Sequence, residues 1–181
     1  MKLRAATPAD AAAIAEIYAP YVTATAISFE TVAPDAAEMA ARIEAGLTLY
    51  PWLAAADDSG TILGYAYAGA FRARPAYRFA VETTVYVADR AQRKGIGRLL
   101  YRALLGTLQA QGFTQAIAAI TLPNEASVAL HQALGFEEAG VYRQVGYKLG
   151  QWRSVGLWQR GLASPSPWPA EPKPVADVWS G

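Results

Sequence analysis

The chain has 181 residues, 53% hydrophobic and 17% charged, with a formal net charge of +1. This is the composition of one globular domain large enough to close a core unaided, and its near-neutral balance calls for neither nucleic acid nor an anionic membrane as a partner. The absence of cysteine excludes disulfides, thiolate metal sites and a cysteine nucleophile, and a single histidine, His131, argues against a histidine metal cluster. No apolar run approaches the ~20 residues of a membrane span, and MKLRAATPAD has no stretch resembling a secretory signal, so a soluble cytoplasmic protein is expected.

Residues 2–6 read as a short strand. Thr7-Pro8-Ala9-Asp10 then reads as a helix start, with Thr7 as N-cap, Pro8 in the first helical position and Asp10 completing a capping box. Ile14, Ile17, Tyr18 and Tyr21 follow at helical spacing, which carries this helix to about Val22. A loop, 25-TAISFETVAPD-35, leads to a second helix over 35–46, with Met39 and Ile43 on one face and Gly46 as its expected stop. Strands over 50–56 and 62–71 are joined by the turn Asp57-Asp58-Ser59-Gly60, and the basic loop 72-RARPAYR-78 precedes a further strand over 80–88.

The next helix starts after Gly95, places Ile96, Leu99, Leu100, Ala103, Leu104 and Leu108 on one face, and ends near Gly112. A strand over 115–121, a helix over 125–134 ending at Gly135, and strands over 136–146 and 152–162 complete the domain. Five of the eleven prolines fall in 164-SPSPWPAEPKPVADVWSG-181, a stretch that forms no regular helix or interior strand. It is either a disordered tail or an extended arm docked through Trp168 and Trp179. The order of elements points to an α+β protein with a mixed sheet and helices on both faces.

Chemistry concentrates in 92-QRKGIGRLLY-101. Gly95 and Gly97 let the backbone turn tightly and approach a ligand, the helix that follows presents free N–H groups, and Arg93, Lys94 and Arg98 add positive charge. Together these form a site for a diphosphate, against the plainer alternative of a charged loop capping a surface helix. The Gly-x4-Gly-Lys-Ser/Thr loop and the three-glycine dinucleotide fingerprint are both absent.

Gln92-x-x-Gly95-x-Gly97, entered from 82-ETTVYV-87, resembles the acyl-CoA pyrophosphate loop of the GNAT N-acetyltransferase superfamily, and 124-NEASVALHQALGF-136 resembles its Asn…Ser…Gly-Phe segment. With 146-GYKLGQWRSVGLWQ-159, these stretches are similar to the branch that acetylates phosphinothricin and methionine sulfone or sulfoximine. The likeness covers about residues 2–162 and leaves the tail from 163 outside. It implies a GNAT fold: a mostly antiparallel sheet, splayed between two parallel middle strands. It also implies acetyl-CoA as co-substrate and a homodimer.

The resemblance assigns roles by position. The backbone of Val85, Tyr86 and Val87 would track the pantetheine arm, the loop Arg93, Lys94, Gly95, Ile96, Gly97 and Arg98 would hold the diphosphate, and Asn124 with Ser127 would touch the cofactor. Asn124 also reads simply as a helix cap. Glu82, among apolar Phe79, Ala80 and Val81, would have the raised pKa suited to deprotonating an amine; otherwise it is a strand glutamate paired with an arginine. His131, four residues after Ser127 on the same helical face, is either a proton donor to the leaving thiolate or a packed helix residue.

On the acceptor side stand Arg72, Ala73 and Arg74, of which Ala73 and Arg74 depart from the proline and aromatic of the branch pattern. Guanidinium groups there suit a carboxylate. Phe29 and Glu30 are pocket walls or ordinary loop residues, and Tyr147, Trp152 and Trp158 are core or dimer aromatics. The function expected is acetylation of the α-amino group of a small amino-acid analogue by direct attack on the thioester. The competing readings are a GNAT enzyme for a protein N-terminus, polyamine or aminoglycoside, and a CoA-binding module without catalysis.

Overall fold

The computed structural model describes residues 1–179. Seven strands form one sheet: β1 (Lys2–Ala5), β2 (Trp52–Ala56), β3 (Ile62–Ala70), β4 (Ala80–Val87), β5 (Gln115–Leu122), β6 (Glu137–Lys148) and β7 (Gln151–Gly161). Their order is β1-β2-β3-β4-β5-β7-β6, antiparallel throughout except for the parallel pair β4–β5. Four helices, α1 (Ala11–Thr23), α2 (Ala36–Gly46), α3 (Ile96–Gln111) and α4 (Glu125–Ala133), cover it.

The two faces follow from strand alternation. Tyr86 of β4 packs its ring 4.8 Å from both Tyr18 and Tyr21 of α1, whereas Thr83 bonds to Tyr101 of α3. Residues an odd number apart on a strand point to opposite faces, so α1 and α3 lie on opposite sides of the sheet. On the α1 side the core is aromatic, with Trp52 stacked 4.2 Å from Tyr67 and 6.0 Å from Tyr65. On the α3 side it is aliphatic, built on Ile96, Leu100, Leu104 and Leu108.

The parallel pair positions the site. β4 and β5 are paired only at Ala80↔Gln115, Val81↔Ala116 and Glu82↔Ile117. Beyond Glu82, β4 continues against β3 to Val87↔Gly64, and β5 continues against β7 to Leu122↔Ser154. Each strand keeps its outer neighbour while the two part from each other. The expected splay is therefore present.

Three expectations shift. The first helix does not run unbroken from Pro8: Pro8–Asp10 is a 3-10 turn, and α1 begins at Ala11. The expected capping box is present in that turn, with Thr7 N donating to Asp10 at 2.8 Å, and Asp10 also accepts two bonds from Arg4, at 2.7 and 2.6 Å. α2 ends at Gly46 as expected, but not through a left-handed cap: Gly46 is buried in the last turn, where an added Cβ would stand 2.6 Å from Trp52 Nε1. Both hairpin strands, β6 and β7, extend further toward each other than expected, to Lys148 and from Gln151.

The proline-rich segment up to Trp179 lies against the domain. Gln111 at the end of α3 donates to the carbonyls of Lys173 and Leu49, both at 2.8 Å, and its own carbonyl accepts from Lys173 N. Val175 N donates to Thr48 O, and Trp179 packs on the core. No helix among the described residues is long and apolar enough to cross a membrane.

Trp52 is held under Tyr65 and Tyr67 and cannot give way, so Gly46→Ala is expected to cost about 1–3 kcal/mol of stability by overpacking, measured as a lower urea midpoint at unchanged slope.

Candidate active site

The fork between β4 and β5 exposes backbone edges that the sheet leaves unpaired. Ala88 N donates to Leu63 O at 2.9 Å, so by alternation Thr84 and Tyr86 also turn their polar groups toward β3. Val85 and Val87 consequently turn theirs into the fork. Of the three residues expected to follow the pantetheine arm, Tyr86 is thus engaged with β3 through its backbone and with α1 through its ring. Val87 O accepts from Tyr21 OH at 2.6 Å, which leaves Val85 with the freest polar edge. A narrow cavity of roughly 60 Å³ occupies the fork, bordered by residues 83–86, 118–121, Asn124, Ser127 and His131.

The fork opens onto the glycine loop. Arg93 has φ +59° and Gly95 φ +79°, while the first helical bond of α3 runs from Leu99 N to Gly95 O at 3.0 Å. The amides of Ile96, Gly97 and Arg98 therefore have no acceptor within the helix and point at the loop. Gly95 is required by its left-handed conformation rather than by space, since nothing lies within 4 Å of an added Cβ. Arg93, Lys94 and Arg98 are exposed; Lys94 folds back to donate to Arg90 O at 2.9 Å. Asn124 caps α4, accepting from Ser127 N at 3.1 Å, so the cap reading and the border of the fork coincide in one residue. A larger hollow of about 930 Å³ between α4 and the β6–β7 hairpin meets this fork at Asn124 only.

Glu82 is the last β4 residue paired with β5 and faces the α1 side, opposite to Thr83. The protein crowded around its carboxylate pushes its pKa up, and the nearby Arg72 guanidinium pulls the other way. Arg72 lies 4.8 Å over the Phe71 ring; Ala73 and Arg74 are exposed beside it.

His131 is buried with both ring nitrogens engaged. Nδ1 is 2.7 Å from the Ser127 carbonyl and 3.4 Å from its hydroxyl, and Nε2 is 2.9 Å from Tyr101 OH. A carbonyl only accepts, so Nδ1 carries the proton of the neutral ring and Nε2 accepts from Tyr101. Tyr101 OH also lies 2.8 Å from Thr83 Oγ1, itself 3.1 Å from Ile117 O, so two hydroxyl protons serve three contacts. Burial lowers the His131 pKa and opposes the raising effect of the Ser127 carbonyl. Tyr101 and Thr83 were missed in the sequence reading. Tyr101 looks there like one more apolar-face residue of α3, and only the packing of three elements shows its partners.

The α1–α2 loop supplies a rigid rim. Glu30 accepts from both Arg42 nitrogens, at 2.7 and 2.9 Å, and from Tyr18 OH at 2.9 Å. The Arg42 guanidinium keeps its carboxylate below the usual range. Glu30 is thus a brace for the loop. Lys148 Nζ donates to Ser28 O at 2.6 Å and ties the same loop to the end of β6, while Phe29 covers Gly146, where an added Cβ would meet the ring at 2.1 Å.

An open parallel fork ending in a glycine loop at a helix N-terminus defines an acyl-transfer fold, and a family model described as an acetyltransferase (GNAT) domain matches residues 3–154. The chain belongs to the GNAT acetyltransferase family. It is 43% identical over 178 residues to phosphinothricin N-acetyltransferase of Streptomyces viridochromogenes, covering 98% of this chain and 94% of that protein. It is 38% identical to the L-methionine sulfoximine/L-methionine sulfone acetyltransferase of Pseudomonas paraeruginosa, with 88% and 94% covered. The crystal structure of a GNAT superfamily phosphinothricin acetyltransferase from Sinorhizobium meliloti in complex with AcCoA superposes with a TM-score of 0.86 at 41% identity, covering 93% and 94% of the two chains.

With one histidine in the chain, imidazole nitrogen NMR reads His131 alone. The expected result is the Nδ1-protonated tautomer, titrating below the ordinary value near 6.5. Because folding lowers this pKa, the unfolded chain takes up the proton first. Stability is therefore lost as pH falls below about 6.5 and through the folded value, and His131→Gln removes that slope in urea titrations.

Proposed function

We propose that the chain is an acetyl-CoA-dependent N-acetyltransferase for the α-amino group of a small amino-acid analogue of the phosphinothricin, methionine sulfoximine or methionine sulfone class. The observation that carries this reading is the unpaired edge at Val85, between the glycine loop and Glu82. A thioester with a long amide-bearing arm and a diphosphate fits that edge and that loop, and the names of the two relatives and the AcCoA complex support it.

In this reading the group held in the fork supplies an acetyl thioester, and the residues of the chain do the rest. Free amides of Ile96, Gly97 and Arg98, with the charges of Arg93, Lys94 and Arg98, take the diphosphate. Val85 N–H and C=O pair with the arm. Asn124 and Ser127 border it. Glu82 removes a proton from the acceptor ammonium, and its raised pKa brings the carboxylate closer to that task than a solvated glutamate. The amine attacks the thioester directly, because the chain has no cysteine to carry an acyl group. The departing thiolate takes the proton that the attacking nitrogen loses as the amide forms; His131, neutral and with Nδ1–H held by the Ser127 carbonyl, borders the fork beside Ser127.

Arg72 and Arg74 at the mouth suit the acceptor's α-carboxylate, and Phe29, held by the Glu30 brace, closes the other side. A polyamine or aminoglycoside would meet this basic rim unfavourably. The apolar tip of the β6–β7 hairpin supports a homodimer: Tyr147 and Trp152 are each 62% exposed and meet edge to face at 5.3 Å.

Thiol release from acetyl-CoA with a panel of amines tests the assignment; turnover of phosphinothricin or methionine sulfone is expected, and binding of CoA without turnover of any amine would sink it. Glu82→Gln is expected to lower kcat/KM by about 10²–10⁴ and to abolish the acid limb of the pH–rate profile, with acetyl-CoA affinity nearly intact. Gly95→Val, which forces a β-branched residue into a left-handed conformation costing about 1–2 kcal/mol, is expected to raise the KM for acetyl-CoA while leaving the acceptor KM unchanged.

A further inference from the structure

β6 is irregular where it passes the loop that carries Arg72. Its pairing with β7 jumps from Tyr142↔Val155 to Gly146↔Arg153, so Arg143, Gln144 and Val145 stand against Ser154 alone. Gln144, in the middle, has φ +50°, a left-handed conformation disfavoured for a residue with a Cβ, and its amide is fixed by Ser154 Oγ at 3.1 Å. Bulges bend a strand and redirect side chains, and backbone strain of this kind collects at functional sites. Here the bulge brings Arg143 and Val145 onto an open hollow of about 580 Å³ whose remaining walls include Arg72.

Both arginines are exposed, and neither takes part in an ion pair among the described residues. Arg72 also acts on the Glu82 carboxylate, so the hollow adjoins the acid that faces the acceptor amine. Two guanidinium groups lining one hollow make it a place for anions, and their planar forks match a carboxylate or phosphinate in bidentate fashion. A single α-carboxylate needs one such fork. The second implies a second anion.

We propose that Arg143 is a specificity-determining residue that holds the side-chain anion of an acceptor whose α-carboxylate lies on the Arg72 loop; this rests on the acetyltransferase reading above. The preferred acceptor is then an amino acid ending in a phosphinate or carboxylate rather than in a neutral sulfone.

The test compares the full-length wild type with Arg143→Ala and Arg143→Lys, using phosphinothricin and methionine sulfone at saturating acetyl-CoA. Isothermal calorimetry of phosphinothricin binding is the readout independent of turnover. The expected result for Arg143→Ala is a KM for phosphinothricin raised by about ten- to a hundredfold, as for loss of a charged hydrogen-bonded contact, with kcat and the methionine sulfone KM changed less than about twofold. Arg143→Lys recovers part of the loss, calorimetry shows the same ranking, and the melting temperature does not move. Equal losses for both acceptors, or an unchanged phosphinothricin KM, overturn the proposal. If the wild type acetylates neither acceptor but binds phosphinothricin through Arg143, the anion site stands and the acetyltransferase reading falls. Binding that ignores Arg143 overturns the site itself.

Discussion

Three paired residues hold β4 to β5, and the site depends on what happens after the third. Two parallel strands that part inside a sheet leave N–H and C=O groups without partners on both inner edges, a cost the fold must offset locally. It does so by hanging each strand on its outer neighbour, β3 for β4 and β7 for β5, along nearly their whole lengths. At the apex, Thr83 Oγ1 bridges across to Ile117 O, and near the mouth Tyr21 OH takes up the carbonyl of Val87. What stays unpaired between these two points is the stretch around Val85, an edge with the hydrogen-bonding pattern of a missing strand. The natural occupant of such an edge is an extended, amide-bearing chain.

The same fork separates two electrostatic environments. On the α1 side Glu82 is open to solvent at the fork, yet the protein around it favours its protonated form while Arg72 favours its charged form. On the α3 side His131 is surrounded by neutral partners: Tyr101 from α3, Thr83 from β4, Ser127 from its own helix, and the Phe136 ring 5.1 Å away. No carboxylate compensates the cost of charging it there. An acid held ready to take a proton and a ring kept neutral are thus placed on opposite faces of one strand, through the alternation of Glu82 and Thr83.

Much of this was legible in the sequence because the relevant rules are local. The turn at Gly60, the left-handed Gly95 and Gly112, the Asn124 cap and the period-2 faces of β4 each depend on a few adjacent residues, and each stands where the pattern put it. What could not be read depends on partners far along the chain. Gly46 ends α2 as the pattern suggested, yet the reason for a glycine there is Trp52, which reaches back from β2. Glu30 looked like a pocket wall, and is a brace for Arg42 and Tyr18. Tyr101 and Arg143 carried no signal at all, the first hidden in an apolar helix face and the second in a strand whose bulge appears only once β7 lies beside it.

The proline-rich segment shows why composition alone left that region open. Prolines stop helices and interior strands, yet they also restrict the unfolded chain, so an extended arm loses less entropy on docking than its irregularity implies. Few anchors then suffice. Gln111 is 1% exposed and joins the arm at Lys173 to the α2–β2 connection at Leu49, and Val175 adds one bond to Thr48. With its backbone so fixed, the arm holds the Glu171 carboxylate against Arg78 Nε at 2.9 Å, at the far end of the loop that begins with Arg72. An exposed ion pair contributes little when both side chains must first be ordered. This one is spared part of that cost, since Arg78 already lies 4.4 Å over the Phe79 ring and the arm is already in place. The proline-rich arm therefore fastens the end of the loop that leads into β4, a contact that no local pattern in either segment announces.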